Sequence, residues 1–577
     1  MQQIADLISA LEHLVWNTGI SIGGETVPFL VIALLGTGIF LTLRLGFVQL
    51  RHLGHGIAVT AGKYDDPNDP GDVSHFQALT TALSATVGIG NIAGVAMAIH
   101  WGGPGALFWM WMTALLGMAV KFSEVTLAQH FRVVEEGDGT SWGTVSGGPM
   151  YYIERGLGPK WKPLAVFFSG ALMLTSFMTG NAVQANTVAD VMADNVGLPV
   201  WITGLITAGV VALVIVGGIG RIGKVTGILA PAMAVTYIAG AMTIILLNVG
   251  EVGPTFALIF SEAFTPTAGV AGTGAGAFVL TMMWGVRRGL FSNEAGQGSA
   301  PIAHAAAKTD EPVSEGVVAL LEPFIDTIVI CSMTGLVILM TGVWDERIPT
   351  ELDLSSGDVT YVAPNERNIF IGGDAPAEIQ VVDGAPVQIA GENQLAWHDA
   401  EIEHFFVDVS QSIPFSGTIF PSSNSAVGAD GTTYTTLYGD AVETGAPLTT
   451  NAFEKGLSGV GLGGLGRFIV MISVLLFAIS TAISWSYYGD RCANYLFGAK
   501  GIFPYKIVFV VMHFVGATVP LATVWVLGDV ALGLVTFPNL IALVLLSGVV
   551  AQLTKSYFER KPWLETREAR RKARERE

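Results

Sequence analysis

Charge is scarce in this chain: only 13% of its 577 residues are Asp, Glu, Lys or Arg. A soluble protein of that length needs a charged surface, so the shortage excludes an ordinary soluble multidomain protein. Cysteine is nearly absent. Cys331 lies inside an apolar run and Cys492 beyond another, so there is no disulfide framework. The first 24 residues hold no Lys or Arg, and the stretch IADLISALEHLVWNTGI is too polar for the core of a cleaved signal. It reads as an amphipathic helix lying at the outer face of a membrane. The chain has no GxxxxGK[ST] phosphate loop and no HExxH, and its ten histidines show no metal-ligand spacing. An ATP-driven pump and a membrane enzyme are therefore the least supported classes.

What the sequence has instead is apolar length. Hydrophobic residues make up 51% of it, mean hydropathy is +0.55 and 71 residues are glycine. Runs long enough for about 30 Å of hydrocarbon recur along most of the chain. They predict an all-α polytopic membrane protein of eleven spans, at about 27–44, 76–99, 104–125, 163–190, 199–218, 223–248, 271–298, 316–344, 463–488, 505–526 and 531–553. If the first span runs inward, only Arg347, Arg367, Lys455 and Arg467 of the 29 basic residues fall outside, and nine crowd the tail from Lys555 to Arg576. Basic residues collect on the cytoplasmic side. The expected topology is N-terminus outside, C-terminus inside.

Net charge is −18, and most of it sits between Trp344 and Gly456, where 18 acidic residues face three basic ones. Alternating pieces such as NIFIGG, AEIQVVDG and PVQIAG predict a β-rich extracellular insert over 345–455. Its acidity reads as a solvated surface, with a gating or partner-binding role as the alternative. The chain then divides into an N-terminal segment 1–26, spans one to eight over 27–344, the insert, spans nine to eleven over 456–553, and a basic tail 554–577.

Polar interruptions inside the spans are concentrated in a few places. ATVGIGN breaks the second span and GVRRGLFSNEAGQGSAP the seventh, and each of these opens a set of five spans. Matching breaks at the head of two five-helix halves point to an inverted-repeat secondary transporter. Backbone groups freed by unwinding in lipid must line a cavity or bind a ligand. Amides at the start of a half-helix suit a carboxylate, and carbonyls at the end of one suit a cation. Gly88 and Gly90 permit the first break, with Thr86 and Asn91 supplying side-chain oxygens; Gly90 and Gly94 also form a GxxxG that would serve plain helix packing.

In the second break Ser292, Asn293 and the Gly296 backbone are candidates for substrate or cation contact. Glu294 is either functional at that depth or a structural partner of Arg287 or Arg288. In span four Asn181 and Gln184 share a face; Gln184 suits an amino-acid ligand, and Asn186 an interhelical hydrogen bond. In span nine Ser480, Thr481 and Ser484 offer hydroxyls for a sodium shell, although hydroxyls also bond back to their own helix, and Trp485 offers a pocket wall. Glu322 and Asp326 read as anchors for basic inner loops, with proton carriage as the alternative.

Taken together, ALSATVGIGNIAGVAMAIHWGGPGALFWMWMTALLGMAVKFSEV, GGPMYYIERGLG, and GLFSNEAGQGSAPIAHAAAKTDEP followed by LLEPFIDT resemble the alanine or glycine:cation symporter family, over about 27–344 and 456–553. The resemblance implies a leucine-transporter-like 5+5 inverted repeat of the amino acid–polyamine–cation superfamily, preceded by one extra helix. It also implies a prokaryotic cell-membrane symporter importing small neutral amino acids such as alanine and glycine with sodium. The substrate carboxylate would lie near Thr86, Gly88, Gly90 and Asn91. Sodium would sit between the carbonyls of Ser84 and Val87 and the hydroxyls of Ser480 and Thr481, and Gln184, Asn293 and Trp485 would line the pocket. The insert departs from the family pattern. A proton-coupled carrier and an amino-acid sensor remain alternatives; a channel is less supported, because the polar clusters converge from four helices on one depth instead of forming rings.

Overall fold

The computed structural model describes residues 10–22, 25–66, 68–134, 145–265, 275–356, 359–364, 370–387, 393–519 and 521–565. Helices dominate, as the apolar runs require. We number α1 Phe29–Arg44, α2 Val48–Thr60, α3 His75–Thr86, α4 Ala93–Gly102, α5 Ala106–His130, α6 Lys162–Phe177, α7 Val183–Val196, α8 Val200–Ile215, α9 Gly218–Leu247, α10 Val252–Glu262, α11 Ala275–Asn293, α12 Ala300–His304, α13 Pro312–Ala319, α14 Ser332–Thr341, α15 Gly445–Ser458, α16 Gly463–Phe497, α17 Ile502–Gly516 and α18 Leu521–Arg560.

Among the described residues, seven helices are long and apolar enough to cross a membrane, or eight if α1 and α2, bent by 77°, count as one span. The protein is thus a helical polytopic membrane protein. Of the other expected spans, 76–99 is divided between α3 and α4, 271–298 contains a break after α11, and α8 has 16 residues.

The N-terminal expectation needs correction. Helical turns end at Asn17, and an antiparallel pair, Gly19–Ile22 with Glu25–Pro28, follows. Val15 and Trp16 are buried, and the Trp16 indole donates to the Asp529 carbonyl of α18 at 3.1 Å. Val15 and Trp16 are thus taken up by the protein itself, while Leu14 and Ile20 remain exposed.

Between α14 and α15, strands replace helices. Among the described residues three antiparallel sheets form there: a four-stranded one centred on Val359–Pro364 and Gln394–Trp397, a three-stranded one around Thr436–Ala441, and a five-stranded one around Gly417–Phe420. Their buried faces share a small core, including Leu352, Phe405, Phe415 and Leu437, separate from the large core of the helices.

The helix α3 starts where a capping box fixes it. Ser74 accepts from the Gln77 amide and the Gln77 side chain accepts from the Ser74 amide. It stops at Val87, and Gly88 is fully extended at φ −128°, ψ −156°. One 3₁₀ turn, Ile89–Asn91, then leads into α4. Two further departures from α geometry lie nearby, π-helical turns at Met178–Ala182 and Phe324–Cys331. Such turns are frequent at functional sites.

Candidate functional site

Asn91 joins the two breaks. Its Nδ2 lies 2.6 Å from Asp326 Oδ1 and 3.2 Å from Ser292 Oγ, while its Oδ1 accepts from the Gly88 amide at 2.9 Å. Ser292 in turn donates to Asp326 Oδ2 at 2.7 Å, and Thr327 does so at 2.6 Å. All four side chains are buried. A carboxylate in such a place is costly unless hydrogen-bonded, and here three side chains donate to it. Asp326 is therefore no anchor for inner loops; it sits on the π-helical turn and links the broken segments.

Glu322, one turn earlier, is fully buried and not at the surface either. It pairs with Lys121 at 3.2 Å and with His304, which also meets Glu315; Glu315 meets His75. This chain of charges ties α5, α12, α13 and the start of α3 together.

Glycine is required at both positions of the first break. A Cβ on Gly88 would lie 2.6 Å from Thr481 Oγ1 and 3.3 Å from Gln184 Oε1, and one on Gly90 would lie 2.9 Å from the Phe291 ring. A Cβ on Gly94 would meet nothing nearer than 3.9 Å, whereas one on Gly90 would also lie 3.4 Å from the Ser292 Cα of α11, so within the GxxxG motif the close approach falls at Gly90 and not at Gly94. Gln184 Oε1 is also 3.4 Å from the Ile89 amide, and its Nε2 donates to the Thr179 carbonyl.

On the other side of the break, Thr481 and Ser480 approach the Ser84 carbonyl at 3.0 and 3.4 Å. The Ser84 and Ser484 hydroxyls are buried without a hydrogen-bond partner. Hard oxygens of this kind, converging where a helix ends, fit a small monovalent or divalent cation. Among the described residues no cluster of His, Cys, Asp and Glu suits a transition metal.

Other expected residues are positioned differently. The Thr86 hydroxyl bonds back to Ala82 and Leu83. Asn293 caps the second break, accepting from the Ala295 amide. Gly296 faces away from Asn91: its amide donates to Glu124 at 3.1 Å and its carbonyl accepts from Asn539 at 2.8 Å. Trp485 donates to Glu294 at 2.9 Å, and Ser299 also bonds Glu294. The suggested pairing of Glu294 with Arg287 or Arg288 does not occur; both arginines bind Asp529. Asn186 donates to the Val519 carbonyl in the turn after α17 at 2.7 Å, a bond to a loop and not the helix-to-helix bond expected of it, while Asn181 bonds His513 and the Phe509 carbonyl.

Sequence reasoning passed over Glu124, Lys121, Asn539 and Asp529. Lys121 and Glu124 lay in plain view as ionisable residues near the end of an apolar span, which marks a residue as important by default. Asp529 fell between two expected spans.

A profile of the sodium:alanine symporter family matches residues 1–368 and 413–571, most of the chain. The chain belongs to that family. A sodium/alanine symporter of Methanococcus maripaludis is 40% identical over 96% of this chain and 97% of its own. A Bacillus subtilis protein named as a probable sodium/glutamine symporter is 31% identical over 97% of this chain and 92% of its own. Another from the same organism, whose name attaches both sodium and protons to an alanine carrier, is 30% identical over 97% and 93%.

Family membership makes this a transporter of the cation-coupled amino-acid class and not an enzyme. It also bears on residues 139–143, GTSWG, which have the letters of a hydrolase GxSxG and lie outside the described residues. In a symporter family those letters carry no nucleophile. The family profile skips 369–412, within the strand-rich insert.

Proposed function

We propose that this protein is a secondary active symporter that imports small neutral amino acids, alanine and glycine foremost, together with sodium by alternating access. The observation that carries the reading is the meeting of two broken helices at Asn91, Ser292 and Asp326, beside a helix end whose Ser84 carbonyl faces the Ser480 and Thr481 hydroxyls. The amides after the first break, with Thr86, Gly88, Gly90 and Asn91, are the proposed seat of the substrate carboxylate. Gln184, Ser292, Asn293 and Trp485 are proposed to complete the substrate site, and Ser84, Val87, Ser480 and Thr481 to hold sodium; Gly296, with its amide on Glu124 and its carbonyl on Asn539, is left out of the substrate site. Gly88 packs directly against Thr481, so the two ligand sites share a wall. Binding of either then favours the other, which is the coupling that symport needs.

The architecture proposed with it has eleven spans: one extra helix, then two inverted five-helix repeats that begin at α3 and α11. The insert lies outside, the N-terminus outside and the basic tail in the cytoplasm of a prokaryote. Each positive charge carried inward gains about 2.3 kcal/mol from a membrane potential of 100 mV, enough for accumulation without ATP.

Counterflow of labelled alanine in liposomes containing only this protein tests the reading, with sodium, potassium and proton gradients imposed in turn. Sodium-driven counterflow inhibited by unlabelled glycine is expected; indifference to sodium would refute it. Proton coupling is the second reading, favoured by the carboxyl of Asp326 between the two breaks and by the relative whose name includes protons. An amino-acid sensor would bind alanine but show no counterflow.

A further inference from the structure

The strand-rich insert reaches back to the helices at one turn. His398 and Asp399 connect Gln394–Trp397 to Ala400–Glu401, and both have left-handed backbones, at φ 51° and 64°. Two such residues make a tight hairpin turn of the kind usually filled by Asn-Gly. Neither is glycine, and strained turns of this sort persist where the surroundings hold them. Thr360 does so on one side, its Oγ1 accepting from the Asp399 amide at 2.9 Å.

On the other side the turn grips the outer end of the first broken span. His100 Nε2 donates to the His398 carbonyl at 2.7 Å, and Trp101 Nε1 donates to Asp399 Oδ2 at 3.0 Å. Trp101 stacks on Trp284 with ring centroids 4.8 Å apart. Arg287 and Arg288 lie over the Trp284 ring at 5.2 and 5.6 Å, and Arg288 also over Phe291 at 5.4 Å. Phe291 is the ring that faces Gly90. A continuous stack thus runs from the turn to the first break, and both half-helices α4 and α11 contribute to it. The family profile skips 369–412, the segment that supplies the turn.

We infer that Asp399 is a positioning residue for transport: by holding the Trp101 indole on Trp284 it keeps the outer approach to the paired breaks shut. Releasing Trp101 frees α4 from α11 at their outer ends, and the population open to the outside rises. Because Trp101 and Asp399 are only half-buried, their bond counts as an ordinary one, and about a five- to tenfold change in that population is expected. The inference rests on the reading of the breaks as a transport path.

The protein carries its own reporter. Cys331 is fully buried beside Asn91 and Ser292, and the second thiol, Cys492, is removed by Cys492→Ser. In that background, Asp399→Ala, Trp101→Phe and the double variant are expressed in intact cells. Modification of Cys331 by a small, membrane-impermeant thiosulfonate is timed from outside, and alanine KM and maximal rate are measured in liposomes. The expected result is modification about five- to tenfold faster in either single variant and no faster in the double, with KM and maximal rate changing by different factors. Trp101→Phe keeps one aromatic ring to lie on Trp284 while the indole N–H, and with it the bond, is lost. Unchanged modification in both variants, or additive effects in the double, would overturn the inference. Absence of alanine transport alongside faster modification would instead strike at the proposed substrate and leave the positioning role standing.

Discussion

The Asn91 amide and the Asp326 carboxylate, 2.6 Å apart and separated by 235 positions in the chain, form the shortest connection between the first broken span and the π-helical turn of Phe324–Cys331. Ser292 closes the triangle from the second break. Asp326→Asn keeps the shape and removes the charge that all its donors are aimed at. Alanine uptake is expected to fall by about ten- to a hundredfold, the scale of losing hydrogen bonds to a buried charge. Transport rates on reconstituted protein check this, and near-normal uptake would remove Asp326 from the site.

Glycine substitutions should separate by position. Gly88→Ala puts a methyl within 2.6 Å of Thr481 Oγ1 and Gly90→Ala puts one within 2.9 Å of Phe291, whereas Gly94→Ala enters space open to 3.9 Å. Overpacking costs about 1–3 kcal/mol. Uptake should collapse in the first two and persist in the third, and equal loss in all three would mean that helix packing governs the segment.

Cation dependence is predicted at span nine. Thr481→Ala and Ser480→Ala each delete a hydroxyl directed at the Ser84 carbonyl. The sodium concentration for half-maximal uptake should rise by about tenfold for the nearer Thr481, the equivalent of one modest hydrogen bond. Saturating sodium should restore the alanine KM, because the two ligands are linked. A proton-driven carrier would show no such sodium shift.

Stability should depend on the buried charge chain. Glu322→Gln leaves Lys121 and His304 in the interior without their shared carboxylate. Removing one partner of a buried pair costs about 3–5 kcal/mol. A clear drop in the melting temperature of the detergent-solubilised protein is expected, with partial recovery in Lys121→Met/Glu322→Met, where no charge of that pair remains. An unchanged melting temperature in Glu322→Gln would show the pair to be solvated.

Periodicity and composition made the helices legible, because a span must be apolar over a fixed length and a break in lipid needs glycine and local oxygens. ATVGIGN therefore announced itself, as did SNEAGQG, and so did the hydroxyls at Ser480 and Thr481. What sequence alone could not assign was which distant group answers each polar atom. Asp326 read as an inner anchor because its depth depends on a π-helical turn that shifts it against its neighbours. Glu294 follows Arg288 by six positions and Arg287 by seven, the latter a spacing that shares a face in an unbroken helix, yet it faces Trp485 and Ser299, because α11 ends at Asn293 and Glu294 turns away with a left-handed backbone at φ 56°. The arginines found Asp529 instead, 241 or more positions away. Sequence by itself determined the membrane class, the two breaks and the oxygens near them, which are local consequences of length and residue type. Only tertiary packing decided their partners, because in a low-dielectric interior each buried polar group binds what the fold delivers within about 3 Å of it.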